Sequence, residues 1–208
     1  PLCVGGQGAI RWLRFMGREG ASGDHLDILC APRDAEACLD AVLDHLDAMA
    51  GDFDGLILGE LAPTSPTLEA AITWAEEHGF PWREREQRRV PFIDLPNTFD
   101  VFLAGLSSNM RYHVRRRQRG LTHVPGARIE CIRDAEGLDE VLTAFFELHR
   151  RRWEREGLPG NFRDEPMQAF LRRFCRAAAE NGWLRCHVLS VGGEIQCVLI
   201  AFHWRQTA

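Results

Sequence analysis

Two adjacent glycines, Gly192-Gly193, constrain this chain more than any other pair of residues. They divide two apolar runs, 183–191 and 194–204, and a two-residue glycine turn suits a primed β-turn, whose twist matches that of the strands it joins. The segment therefore reads as a hairpin in which Val191 pairs with Glu194. With that register and a period of two, Leu184, Cys186 and Val188 share a face with Ile195, Cys197, Leu199 and Ala201, and this face is expected to be core. Arg185 and His187 fall on the other face with Val198 and Ile200. The core face needs cover, and the sequence just before it offers some. Residues 127–133 alternate as a strand. Asp134 then opens a long helix with Leu138, Val141, Leu142, Phe145, Leu148, His149 and Trp153 at helical spacing, and Pro166 starts another with Phe170, Leu171, Phe174 and Ala178 inward. We expect strand 127–133 to join the hairpin in one sheet, with both helices packed on it.

The first half of the chain reads in the same way. Residues 9–16 and 25–30 are expected strands, the second reached through Gly20 to Asp24. Asp34 caps a helix to about Met49, which buries Ala37, Leu39, Val42, Leu43 and Leu46 and turns Asp40, Asp44 and Asp47 outward. Residues 55–61 form a short strand, and Ser65-Pro66, with Glu69 in the first turn, opens a helix that ends at Gly79. An extended stretch, 82–95, leads to Asn97, the expected cap of a short helix bearing Phe99, Phe102 and Leu103. Gly5-Gly6-Gln7-Gly8 precedes a strand instead of joining a strand to a helix, so it is not placed as a phosphate loop would be.

Charge is concentrated at 106–119, where five Arg and no acid occur in one predicted helix. Ser107 is its expected N-cap and Gly120 its expected stop. Met110, Val114 and Leu121 make a narrow apolar stripe beside Arg111, Arg115, Arg116 and Arg119. Such a face can be solvated, can pair with acids of the chain, or can bind an anion. The whole chain carries a net charge of -5 that divides unevenly: residues 1–80 hold four Arg and fourteen acids, for -10, and the remainder carries +5. An acidic chain with one basic helix does not resemble a nucleic-acid binder, whose footprint is a broad basic surface, and no nucleic acid is expected as a partner. No apolar run reaches the length of a membrane span and no signal peptide is recognisable, so the expected location is cytoplasmic. The seven cysteines occur singly and support neither a disulfide framework nor a metal site.

The ordered set Leu106-Ser-Ser-Asn-Met-Arg111, Arg115-Arg116, Phe146-Glu-Leu-His149, Trp153, Gly157, Gly160 and Phe162, followed by a helix and the Gly-Gly hairpin, resembles the CelD-like acetyltransferases. These belong to the GNAT superfamily and lie near the FemAB-type aminoacyl transferases; Asp24-His-Leu-Asp27 and Phe92-Ile-Asp-Leu-Pro96 extend the resemblance into the first half. The resemblance implies a mixed α/β (α+β) chain of tandem GNAT-like lobes, 1–105 and 106–208. It also implies that the second lobe is truncated before the Gly-rich loop that holds the pyrophosphate of acyl-CoA, so that no cofactor-binding residue lies within the chain and the full-length protein is the enzyme. The implied reaction is acyl transfer, from acetyl-CoA or another acyl-CoA and without a metal, to an amine or related nucleophile of a small-molecule or envelope-precursor acceptor, with the family name pointing to polysaccharide or cellulose biosynthesis. The catalytic residue is not assigned. Substrate-binding candidates are Asp27, Arg111, Arg115, Arg116, His149 and Trp153. His149 and Trp153, one helical turn apart, can equally be packing residues. A non-catalytic interaction lobe and a nucleic-acid module built on the Arg-rich helix are the alternatives.

Overall fold

Both glycines of the expected hairpin adopt positive φ, 61° and 90°, the backbone that a type I′ turn needs at both central positions. In the computed structural model, which describes residues 2–7, 9–17, 23–86 and 89–205, they join two antiparallel strands that pair Val191 with Glu194. The chain forms two compact units, Pro1–Phe92 and Ile93–Ala208.

In the first unit, strands β1 (Leu2–Gln7) and β2 (Ile10–Phe15) are antiparallel, and β2 pairs in parallel with β3 (Gly55–Ile57). Helix α1 (Ala35–Ala48) makes the crossover that a parallel pair requires. It buries Leu39, Leu43 and Leu46, and the last two pack with Leu13 of β2 in a small core that Ala70, Ala71 and Trp74 of α2 (Pro66–Glu77) help to close. Ser65 caps α2 by accepting from the Thr67 amide, and Gly79 ends it at φ 70°. Two expectations fail here. Residues 25–30 are a loop instead of a strand: His25 is left-handed at φ 57°, and the Leu26 amide donates to the Glu60 carbonyl, so no ladder forms. The strand expected over 55–61 stops at Ile57, three residues before Glu60, which takes a positive φ of 63°. Part of the approach from Gly20 to Asp24, and Gly8 of the glycine-rich run, lie outside the described residues.

The second unit begins with α3 (Phe99–Gly105), capped by Thr98 instead of Asn97, and α4 (Ser108–Thr122). Ser107 caps α4 as expected, by accepting from the Met110 amide. Gly120 does not stop it. The helix runs two residues beyond, because Gly126 supplies the left-handed turn into the next strand. The stripe of Met110, Val114 and Leu121 also packs less than expected: α4 buries none of its residues.

Strand β4 (Ala127–Ile132) pairs antiparallel with β5 (Leu184–Val191), and β5 with β6 (Glu194–Phe202), so strand and hairpin share one sheet as expected. Helices α5 (Leu138–Arg155) and α6 (Glu165–Glu180) cover one face. The core joins Leu138, Val141, Leu142 and Phe146 of α5 to Leu171, Cys175 and Ala178 of α6 and to Leu184, Cys186 and Val188 of β5.

Three details differ from the sequence reading. α5 starts at Leu138 and not Asp134, because the Asp134 carboxylate accepts from the Glu136 amide and Gly137 turns left-handed at φ 69°. On α6 the buried stripe is Leu171, Cys175 and Ala178, while Phe170 and Phe174 stack on one another at its exposed margin. On β6 the core positions are Ile195, Val198, Ile200 and Phe202, whereas Cys197 and Leu199 are exposed. A β-bulge causes this exchange. Ser190 pairs with Ile195 but Leu189 pairs with Cys197, so Gln196 is an extra residue and every side chain beyond it changes face.

Candidate functional site

Along α5, Phe145, His149 and Trp153 follow at four-residue intervals, Phe145 packed against the core, and the loop after the helix folds back across them. Gly157 makes the reversal possible. It lies at φ 69°, its amide donates to the Glu154 carbonyl, and the Leu158 amide donates to the Trp153 carbonyl, the paired closure of a Schellman turn. Gly160, also at φ 69°, then presses its backbone onto the two rings: a Cβ there would stand 2.8 Å from His149 Cε1 and 3.0 Å from Trp153 Cδ1. Phe162 completes the cover, edge-on to His149 at 5.0 Å and to Phe145 at 5.5 Å. Gln168 of α6 donates to the Phe162 carbonyl at 2.9 Å and pins the loop.

Within this clamp the Trp153 indole N–H donates to His149 Nε2 at 2.8 Å. An indole nitrogen can only donate, so Nε2 must carry the lone pair and the ring proton sits on Nδ1. Burial, followed by the nearby Arg152 charge, lowers the imidazole pKa below its ordinary value. His149 is therefore a neutral imidazole with its acceptor nitrogen occupied. What it offers is one N–H, on Nδ1, which has no partner among the described residues.

His149 lies on an open groove of about 290 Å³ between α5, the loop and α6. Phe146, Pro159 and Phe162 give it apolar walls; Thr143, Gln168, Glu147, Arg150, Arg163 and Arg172 give it a polar rim. Glu147 is held below the usual carboxylate range by Arg150 and then Arg151, and Arg150 also reaches Glu154. Arg172 donates to the Thr143 hydroxyl at 2.9 Å and to the Asp139 carbonyl at 3.1 Å, and its guanidinium lies over the Phe146 ring.

The structure brings His149 and Trp153 together, with His149 but not Trp153 lining the groove, and places the other candidates elsewhere. Arg111 donates to the Leu103 and Ala104 carbonyls at 3.4 and 2.7 Å, capping the C-terminal end of α3. Arg115 and Arg116 are exposed and have no ion pair among the described residues. None of the three lines the groove. Asp27, in the first unit, accepts from the buried Thr67 hydroxyl and from the Ile28 amide at 2.8 Å, which ties its loop to the start of α2.

The sequence reading missed Thr143, Arg150, Arg163, Gln168 and Arg172. A signal existed for two of them, since Thr143 and Arg150 share a face of α5 with Phe146 and Glu147 at spacings of three and four. Cysteine nucleophiles are not part of this site: burial pushes the Cys175 and Cys186 thiols up to about 11. Among the described residues no three His, Cys, Asp or Glu side chains gather as a metal site requires, and no helix is long and apolar enough to cross a membrane.

The one strand-to-helix junction among the described residues of the second unit, between β4 and α5, carries Asp134 and Glu136 and leads into Asp139 and Glu140. Asp139 is paired with Arg172 and Arg176, but the carboxylates of Asp134, Glu136 and Glu140 repel a pyrophosphate, so this junction does not fit that part of an acyl-CoA. No curated protein and no solved structure matches the chain. Residues 108–208, from the first turn of α4 through the hairpin, match the family model described as an acetyltransferase (GNAT) domain.

Proposed function

We propose that the protein is an acetyltransferase that moves an acetyl group from acetyl-CoA to an amine, and that the groove beside His149 receives the acceptor. The observation that carries this reading is the acetyltransferase match over 108–208, a stretch that contains the whole groove. In the reaction, the acceptor nitrogen bonds to the thioester carbonyl carbon, the C–S bond breaks, the nitrogen gives up a proton and the coenzyme leaves as its thiol. The chain's own contribution is positional. The His149 Nδ1–H, held in one tautomer by Trp153, donates to an oxygen of the acceptor, and the Phe146, Pro159 and Phe162 walls exclude water from one side of it. Since Nε2 is occupied, His149 does not serve as the base through that atom.

The finer reading, a CelD-like enzyme with an envelope or polysaccharide precursor as acceptor, is supported by the ordered residues 106–111, 146–149, 153, 157, 160 and 162. We read the first unit as a companion lobe because it has its own three-stranded sheet with two helices. The seven cysteines, all free thiols, fit a reducing compartment, and we infer a cytoplasmic location.

The test is release of coenzyme A thiol from acetyl-CoA by the intact protein across a panel of primary amines, with mass spectrometry of the acceptor. We expect N-acetylated product and a fall of at least tenfold in kcat/KM for His149→Ala with the fold retained. Folded protein that acetylates no amine would point instead to a non-catalytic interaction lobe.

A further inference from the structure

Resting on the acceptor-groove reading above, we infer that the groove recognises an oxyanion, a carboxylate or a phosphate, carried by the acceptor. The lining contains three guanidiniums, on Arg150, Arg163 and Arg172, against one carboxylate, Glu147, for a formal +2. Their hydrogen bonds show which of them are available. Arg150 is committed on three nitrogens to Glu147 and Glu154, so it contributes to walls and not to a ligand. Arg163 uses only Nε, toward Asp164, and both of its terminal nitrogens have no partner among the described residues. Arg172 is held rigidly by Asp139 and Thr143 through its terminal nitrogens and keeps its Nε–H without a partner. The His149 Nδ1–H is the third free donor.

Three elements, α5, the loop and α6, thus bring uncommitted N–H groups to one cavity and no uncommitted carboxylate. Glu147, the only acid among the described residues of the lining, is engaged by Arg150 and Arg151. A donor-rich cavity with apolar walls suits a planar or tetrahedral oxyanion attached to a small apolar body, because guanidinium forks and an imidazole N–H all donate and none accepts. A cationic acceptor would meet like charge, and a neutral one would leave the Arg163 fork without a partner.

The test follows the indole N–H resonance of Trp153, identified by its loss in Trp153→Phe, while intact ¹⁵N-labelled protein is titrated with acetate, inorganic phosphate or acetamide. Acetate and phosphate distinguish a carboxylate from a phosphate; acetamide is the neutral control. We expect saturable shifts with one or both anions, and a weakening of at least fivefold in Arg163→Gln, whose side chain is 64% exposed so that its replacement should leave the fold intact. Arg117→Gln, on α4, should leave the titration unchanged. Equal shifts with acetamide, no saturable shift, or a titration indifferent to Arg163→Gln would each overturn the inference. Thiol release from acetyl-CoA is measured in parallel. Anion binding without turnover would remove the enzymatic reading and leave the groove's preference standing, whereas turnover of neutral and anionic amines at equal kcat/KM, without an anion response, would remove only the preference.

Discussion

Helices α4 and α5 are both rich in arginine, yet one buries nothing and the other organises a core and a groove. α4 carries five Arg and no acid, and its apolar positions are too few to bury a face: Met110 is 53% exposed. α5 carries Arg150, Arg151, Arg152 and Arg155, but pairs the first two with Glu147 and Glu154 and buries Leu138, Val141, Leu142 and Phe146. Charge density is therefore a poor guide to where this chain does its work. A guanidinium becomes useful where its neighbours fix its position, as Thr143, Asp139 and Phe146 fix Arg172.

The sharpest way to break that contrast is in the interiors. Leu142 is completely buried, and Leu142→Ala should cost about 2–5 kcal/mol. Val114→Ala on α4 should cost under about 1 kcal/mol, since no residue there is buried. Chemical denaturation of both variants decides it; comparable losses would show that α4 is packed in solution.

Next in size is a comparison of two glycines with the same φ. Gly160→Ala meets His149 and Trp153 as well as left-handed strain and should lose about 1–3 kcal/mol, with a large fall in acetyl transfer. Gly157→Ala has nothing within 4 Å and should lose only the left-handed penalty, about 1 kcal/mol, with activity largely kept. If the two variants melt and turn over alike, the backbone of Gly160 does not hold the rings.

A smaller effect concerns pH. Folding lowers the His149 pKa, so the unfolded chain binds a proton more readily at this site. The corresponding stability is present above about 6.5 and is lost as pH falls through the lower folded value. Tm measured from pH 8 to pH 5 should drop more steeply for the native protein than for His149→Gln; parallel curves would mean that the imidazole is not held neutral.

The smallest effects belong to α4. Arg111→Gln removes two hydrogen bonds to α3 carbonyls and should cost about 1 kcal/mol, while Arg115→Gln and Arg116→Gln should cost under about 0.5 kcal/mol. Turnover measured on the same three variants separates a structural role from service to a substrate. A fall for Arg115→Gln or Arg116→Gln with Tm unchanged would restore α4 as part of the site.

Much of this was legible in the sequence where a local rule governs. The Gly-Gly turn fixed the pairing of Val191 with Glu194, Ser65-Pro66 opened α2, and four-residue spacing put His149 against Trp153. What was not legible depends on residues that carry no local mark. Gln196 has neither the glycine nor the β-branching that would announce a bulge, and one unmarked residue moved Cys197 and Leu199 to solvent. Arg163, Gln168 and Arg172 sit on two further elements, so their convergence appears only once α5 and α6 are packed. Asp27 drew notice through resemblance alone, and its bond to Thr67, forty residues away, is a tertiary fact that explains it as a tie.

The clamp over His149 has one more consequence, for the order in which the protein assembles. Its parts, from Phe145 to Gln168, are contiguous in the chain, so closing it orders only a short loop and costs little chain entropy. The floor beneath α5 and α6 is different, because Leu184, Cys186 and Val188 arrive later in the sequence, and the last two must pair with β4 across more than fifty residues. The imidazole tautomer is thus set by nearest neighbours and the support under it by distant ones. Mild denaturation should loosen the sheet edge while the Trp153 to His149 bond persists, which makes that indole N–H a reporter of how far local order outlives the global fold.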